Sequence, residues 1–166
     1  QQACECFKKS LAIKLEISGE EDEADCDSLV VLLSELGKHE QACEYLEKIL
    51  AIRRKIHGEE HPLVASSYHD LSVLYEQLGE AEQARENYEK CLGIRLKIHG
   101  EEHADVASSY HDLGVYHYEQ GEYEQARECF EKCLAIRLNI YGEQHADVAE
   151  SYNKLGAFHH EGEEYE

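Results

Sequence analysis

The stretch HGEEHPLVASSYHDL, residues 57–71, decides how the rest of the chain reads. It returns as HGEEHADVASSYHDL at 99–113 and as YGEQHADVAESYNKL at 141–155, a step of 42 residues each time. Ahead of each copy lies a second recurring piece: LGKHEQACEYLEKIL at 36–50, LGEAEQARENYEKCL at 78–92 and QGEYEQARECFEKCL at 120–134. Self-similarity at a period of a few tens of residues marks a repeat architecture, in which each unit is one supersecondary element that buries its apolar face against its neighbours.

Each unit reads as two helices. Tyr68, Leu71, Tyr75 and Leu78 follow a 3-4-3 spacing, which sets them on one face of a first helix. Gly79 interrupts with Glu80 beside it, as a tight turn does. Ala84, Tyr88, Cys91 and Leu92 then carry the helical period through a second helix, extended by Ile94 and Ile98. Gly100 ends that helix as a left-handed C-cap. Pro62 fits the first turn of the following helix, where its missing N–H costs nothing. Asp105 and Asp147 lie near the equivalent starts, where a carboxylate meets the positive end of the helix dipole.

The spacing predicts helices near 2–17, 22–36, 39–57, 62–78, 81–99, 104–120, 123–141 and 146–161, with no strand. The fold class is therefore all-α, a right-handed superhelix of stacked helical hairpins forming one array over 1–166. Its divisions are 1–21 (a second helix and junction), 22–61, 62–103 and 104–145 (complete repeats), and 146–166 (a first helix). Both ends cut through a repeat, so the chain reads as a segment of a longer array. Apolar residues at those ends, Phe7 and Leu11 at one and Leu155 and Phe158 at the other, are expected to be exposed and to favour self-association.

The pattern Tyr68, Leu71, Ser72, Tyr75, Gly79, Ala84, Tyr88, Cys91 resembles the tetratricopeptide signature. Tyr110, Leu113, Gly114, His117, Gly121, Ala126, Phe130 and Cys133 repeat it. Cys26, Leu29, Val30, Leu33, Gly37, Ala42, Leu46 and Ile49 give a poorer copy, and Ala3, Phe7 and Ser10 fill the second-helix slots of another. The 42-residue step with its G-E-E-H-P-x-V-A junction is similar to the kinesin light chain subtype, which also occurs in the regulatory tails of signalling ATPases. The junction after Ile17 is three residues shorter and lacks the histidine.

The resemblance implies a protein-interaction scaffold that presents certain first-helix positions to a groove. Here these are Asp27 and Val31, with Glu35 behind them; then Ser66, His69, Asp70, Val73, Glu76 and Gln77. In the following repeat they are Ser108, His111, Asp112, Val115, Tyr118 and Glu119. Glu150, Asn153, Lys154, Ala157, His160 and Glu161 come last, with Lys154 the one base among them. A clamp for a peptide carboxylate needs Lys, Arg and Asn in these slots, and the asparagine-rich groove of kinesin light chains is replaced by His-Asp pairs. The expected ligand is a peptide or protein bearing Lys or Arg with small apolar anchors.

Charge points the same way. Sixteen Lys and Arg against 36 Asp and Glu give a net charge of −20 with His neutral. Such a chain repels phosphate backbones and anionic lipid surfaces, so neither nucleic acid nor membrane is an expected partner. No apolar run approaches the roughly 20 residues needed to cross a bilayer. Seven cysteines is an odd number, and Cys43, Cys91, Cys129 and Cys133 fall inside helical patterns, so reduced thiols in the cytoplasm are expected. Cys133 shares its repeat position with Cys91 and Ile49, which makes it a packing residue rather than a zinc ligand.

No catalytic set emerges. His69 and Asp70 are helix neighbours expected to point apart, and neither a phosphate loop nor H-E-x-x-H is present. The chain is read as non-enzymatic, without cofactor. His61, His103 and His145 recur at the junctions, where capping and packing are expected of them and a metal is not, since successive junctions lie a repeat apart. The alternative function is a sensor or oligomerisation segment of a larger signalling protein.

Overall fold

The computed structural model describes residues 23–163, together with Glu5, Cys6 and Lys9. Among the described residues there are seven α-helices and no strand: α1 Glu23–Glu35, α2 His39–His57, α3 Pro62–Leu78, α4 Ala81–His99, α5 Ala104–Glu119, α6 Tyr123–Tyr141 and α7 Ala146–Glu163. These bounds lie within two residues of the predicted ones. The helix expected at 2–17 falls almost wholly outside the described residues. The chain divides into two compact units after Cys91, inside α4.

In the first unit α1 packs on α2 and α2 on α3. Leu29, Leu33, Leu46, Ile49, Val64 and Leu71 are fully or almost fully buried there, each worth about 1.5–3 kcal/mol of hydrophobic stabilisation. In α3 the buried stripe is Val64, Ser67, Leu71 and Leu74, one position off the expected Tyr68–Leu71–Tyr75–Leu78 face. The tyrosines are half-buried at its edge, each beside a charged side chain. Tyr75 donates its hydroxyl to Glu47 at 2.8 Å, and the ring of Tyr68 lies under the Lys90 ammonium. Ala84 and Tyr88 bring the first half of α4 onto α3, and the Tyr88 hydroxyl donates to Glu76 at 2.9 Å.

In the second unit α5 packs on α6 and α6 on α7. Val106, Leu113, Tyr116, Phe130, Cys133 and Val148 form the core. Cys133 is fully buried, as are Ile49 and, almost so, Cys91, matching their shared packing position. Leu155, at the far end of this unit, is half-buried and its neighbour Tyr152 is exposed. The expectations for Phe7, Leu11 and Phe158 concern side chains outside the described ones.

Two kinds of glycine punctuate the chain. Within hairpins, Gly79 takes φ 74°, ψ 16°, the left-handed region, and its N–H reaches the carbonyl of Glu76 while that of Glu80 reaches Tyr75. This Schellman closure satisfies carbonyls that the helix end would leave unpaired. Gly100 has a positive φ of 79°, while two other junction glycines depart from a left-handed cap. Gly58 and Gly142 do have positive φ, but with ψ of 172° and 173°, an extended region open essentially to glycine alone. The chain leaves the helix straight there, because the next helix must begin three or four residues later.

Candidate functional site

The junction histidines carry a precise local role. His61 and His103 are N-caps in extended conformation, and their Nδ1 atoms accept the N–H of Leu63 at 3.2 Å and of Asp105 at 3.1 Å. His145 does the same for Asp147 at 3.2 Å. Each imidazole also stacks on the ring four residues earlier: His61 on His57 at 4.3 Å, His103 on His99 at 4.0 Å and His145 on Tyr141 at 4.3 Å between centroids. An N-cap acceptor satisfies one of the orphaned N–H groups of the first helical turn, worth about 1 kcal/mol.

One junction does gather metal-ligand chemistry, contrary to the expectation that such residues stay a repeat apart. The donor atoms of His99, His103 and Asp105 lie within 4.8 Å of one another. They converge within a single junction, because stacking draws the two imidazoles together. The rings lie 10° from parallel, so their in-plane lone pairs run side by side and do not meet at a point. His103 Nδ1 is already occupied by the cap. Packing accounts for this cluster.

The first-helix positions assemble differently in the two units. In the first, a cavity of about 600 Å³ opens between α1 and α3. Asp27, Val31, Ser66, His69, Asp70, Val73 and Gln77 all line it, joined by Glu35 and Ser34 at the rim and by Val30, Leu46, Leu74 and Arg53 beneath. Glu76 is not among the lining residues; its carboxylate holds the Tyr88 hydroxyl. Val31 is 59% exposed, an uncovered aliphatic side chain in the middle of the cavity wall.

Arg53 is the residue that sequence reading passed over. It is only 5% exposed, and it donates to Asp27 at 2.6 Å and to the Ser67 hydroxyl at 2.8 Å. From α2 it therefore ties together both walls of the cavity. Arg95 and Arg137 stand at the same repeat position, and they donate to Ser109 at 2.8 Å and Ser151 at 2.9 Å. The signal was in the sequence: Arg53, Arg95, Arg137 and Ser67, Ser109, Ser151 each recur at 42 residues.

In the second unit Ser108, Glu119 and Asn153 are exposed, and His111, Asp112, Val115 and Tyr118 are half-covered. Ser108 turns back to the carbonyl of Ala104, and Tyr118 packs edge-on against Tyr123. His111 lies edge-on to Phe130, with Nε2 3.8 Å from Glu150. Glu150 also receives Arg137 at 3.1 Å. The side chain of His160 is not among those described.

The histidine–aspartate neighbours do touch, which corrects the expectation that they point apart. His69 Nδ1 lies 3.3 Å from Asp70 and His111 Nδ1 3.4 Å from Asp112, because a half-exposed aspartate can swing along the helix surface. Both contacts are at the loose end of hydrogen bonding. The nearby Ser67 hydroxyl is committed to the Leu63 carbonyl and to Arg53.

Three of the helical cysteines, Cys43, Cys129 and Cys133, are held as thiols by burial. Burial, reinforced by Glu47, Glu80 and Glu40, pushes the Cys43 thiol up to about 11. Burial also lifts Cys129 to about 11, against a partial offset from Lys132. Cys133 is raised for the same reason.

Paired helices, glycine turns and a 42-residue ladder of Arg–Ser contacts define an α-helical repeat protein. Among the described residues, no helix is long and apolar enough to cross a membrane. The tetratricopeptide repeat family matches residues 27–97, 73–139 and 105–166, and the chain belongs to that family, in its kinesin light chain-like form. Similar solved structures include BtubC (BKLC) from P. vanneervenii, 28% identical, with a TM-score of 0.78 over 92% of this chain and 62% of that one. This chain thus spans less than two thirds of that relative. A kinesin light chain-like protein of nearly identical TPR-like repeats from Podosopora anserina is 25% identical, with a TM-score of 0.81 over 99% of this chain and 79% of the other. The apo form of RapI, 18% identical with a TM-score of 0.79 over 98% of this chain and 44% of that one, shares the fold. Comparison with curated proteins gives no match.

Proposed function

We propose that the chain binds a basic peptide segment of a protein partner on the acidic first-helix faces, without catalysing a reaction. The observation that carries this reading is the cavity between α1 and α3, which combines the exposed Val31 and the half-buried Val73 with the carboxylates of Glu35 and Asp70, Asp27 being held by Arg53. An apolar floor supplies contact area, and a rim of one charge sign selects the partner and speeds encounter. The net charge of −20 extends that attraction beyond the contact itself.

Charge reversal distinguishes this site from general electrostatic attraction. Glu35→Lys with Asp70→Lys is expected to weaken a lysine-bearing ligand about 2- to 30-fold, from about 0.2–1 kcal/mol per exposed contact. Glu86→Lys with Glu89→Lys changes the net charge equally on α4, where both residues are exposed. If both pairs weaken binding alike, the partner docks elsewhere.

A further inference from the structure

The spacing along α1 specifies more than charge. Asp27, Val31 and Glu35 follow at four-residue steps, so a rise of 1.5 Å per residue sets neighbours about 6 Å apart along one face. Positions 42 residues on supply the facing wall: His69 opposite Asp27, Val73 opposite Val31, Gln77 opposite Glu35, and all six line the cavity. The site is therefore layered, polar at each end and aliphatic between.

Its charges are balanced between the ends. Arg53 neutralises Asp27 through their 2.6 Å ion pair, which leaves Asp70 to supply the negative charge of that end and Glu35 that of the other. An extended peptide rises about 3.3 Å per residue and sends alternate side chains to one face, so residues i, i+2 and i+4 recur at about 6.6 Å. That period matches the layers of α1.

We propose that the cavity takes a five-residue extended segment of the form basic–any–aliphatic–any–basic, its aliphatic side chain between Val31 and Val73 and its two cations at Asp70 and Glu35. A helical ligand would need nine residues to place groups at i, i+4 and i+8. Five extended residues span the same three layers with a shorter chain. This inference rests on the peptide-binding reading above and fixes its ligand.

The test titrates the 166-residue chain with capped peptides KAVAK, its same-composition isomer AKVKA, KAGAK and the nine-residue KAAAVAAAK. KAVAK is expected to bind at least about 5-fold more tightly than AKVKA or KAGAK, and Val31→Ser to abolish its advantage over KAGAK. Equal binding of KAVAK and AKVKA, both weakened by Glu35→Lys, overturns the register and leaves the site standing. Preference for KAAAVAAAK overturns the extended form. Indifference of every peptide to Glu35→Lys and Asp70→Lys, or no binding up to millimolar peptide, overturns the register and the peptide-binding reading together.

Discussion

Arg53 and Arg137 occupy the same repeat position, and each is almost completely buried, yet they find their carboxylates on opposite sides. Arg53 reaches back to Asp27 on the preceding first helix, whereas Arg137 reaches forward to Glu150 on the following one. Sequence explains the exchange. The position of Asp27 is His111 in the second unit, and a histidine offers Arg137 no anion. The position of Glu150 is Ser66 in the first unit, which offers Arg53 none. A buried guanidinium is costly without a charged partner, and each unit supplies one from whichever wall carries the acid. In the first unit the consequence is a cavity whose two walls share one arginine.

The largest expected effect comes from removing that arginine. Arg53→Ala severs the link between α1 and α3, and is expected to lower unfolding free energy by about 2–4 kcal/mol, less than a fully buried pair because Asp27 stays half-exposed. Arg137→Ala breaks contacts to α7 alone and should cost about 1–3 kcal/mol, its bond to the Asp147 carbonyl and Ser151 included. Chemical denaturation of both variants measures the difference. Equal losses would mean that bridging two helices confers nothing extra.

A second comparison concerns Ser72 and Gly114, which share a repeat position. A methyl group added at Gly114 would come within 2.9 Å of the Phe130 ring, and that ring is buried. Gly114→Ala is therefore expected to destabilise by about 1–3 kcal/mol through overpacking. Ser72 already carries a Cβ and bonds its own helix at the His69 carbonyl, so Ser72→Ala should cost under about 1 kcal/mol. A neutral Gly114→Ala would show that the Phe130 ring shifts freely.

Between the units, Cys43 and Cys129 should behave alike and have the smallest effect at neutral pH. Burial raises both to about 11. The folded state thus holds these protons more tightly than the unfolded chain. Their contribution is fully present below about pH 9 and is lost as pH climbs towards 11. Alkylation at pH 8 should run about a hundredfold slower in the folded chain than in the denatured one. Rapid labelling of either residue in the native state would refute that burial.

Much of the helical frame was legible because a 42-residue recurrence fixes every element several times over. The junction histidines were legible as caps for the same reason. The arginine bridge was missed although its recurrence is equally plain, because an arginine late in a second helix reads as a solvated charge until the facing serine is placed beside it. Glu76 was assigned to the binding surface from its helix position alone. Its bond to Tyr88 depends on how tightly one hairpin closes, which no spacing reveals. The cavity itself arises from valines, at 31 and 73, where a one-dimensional reading sees only a small apolar residue.

Amide chemical-shift mapping of the isotopically labelled chain with KAVAK tests the central claim most directly. Perturbations centred on Val31, Ser66, Val73 and Gln77, fading as salt screens the carboxylates, are the predicted result. Shifts confined to the exposed faces of α2 and α4, around Glu44, Glu86 and Glu89, would contradict it.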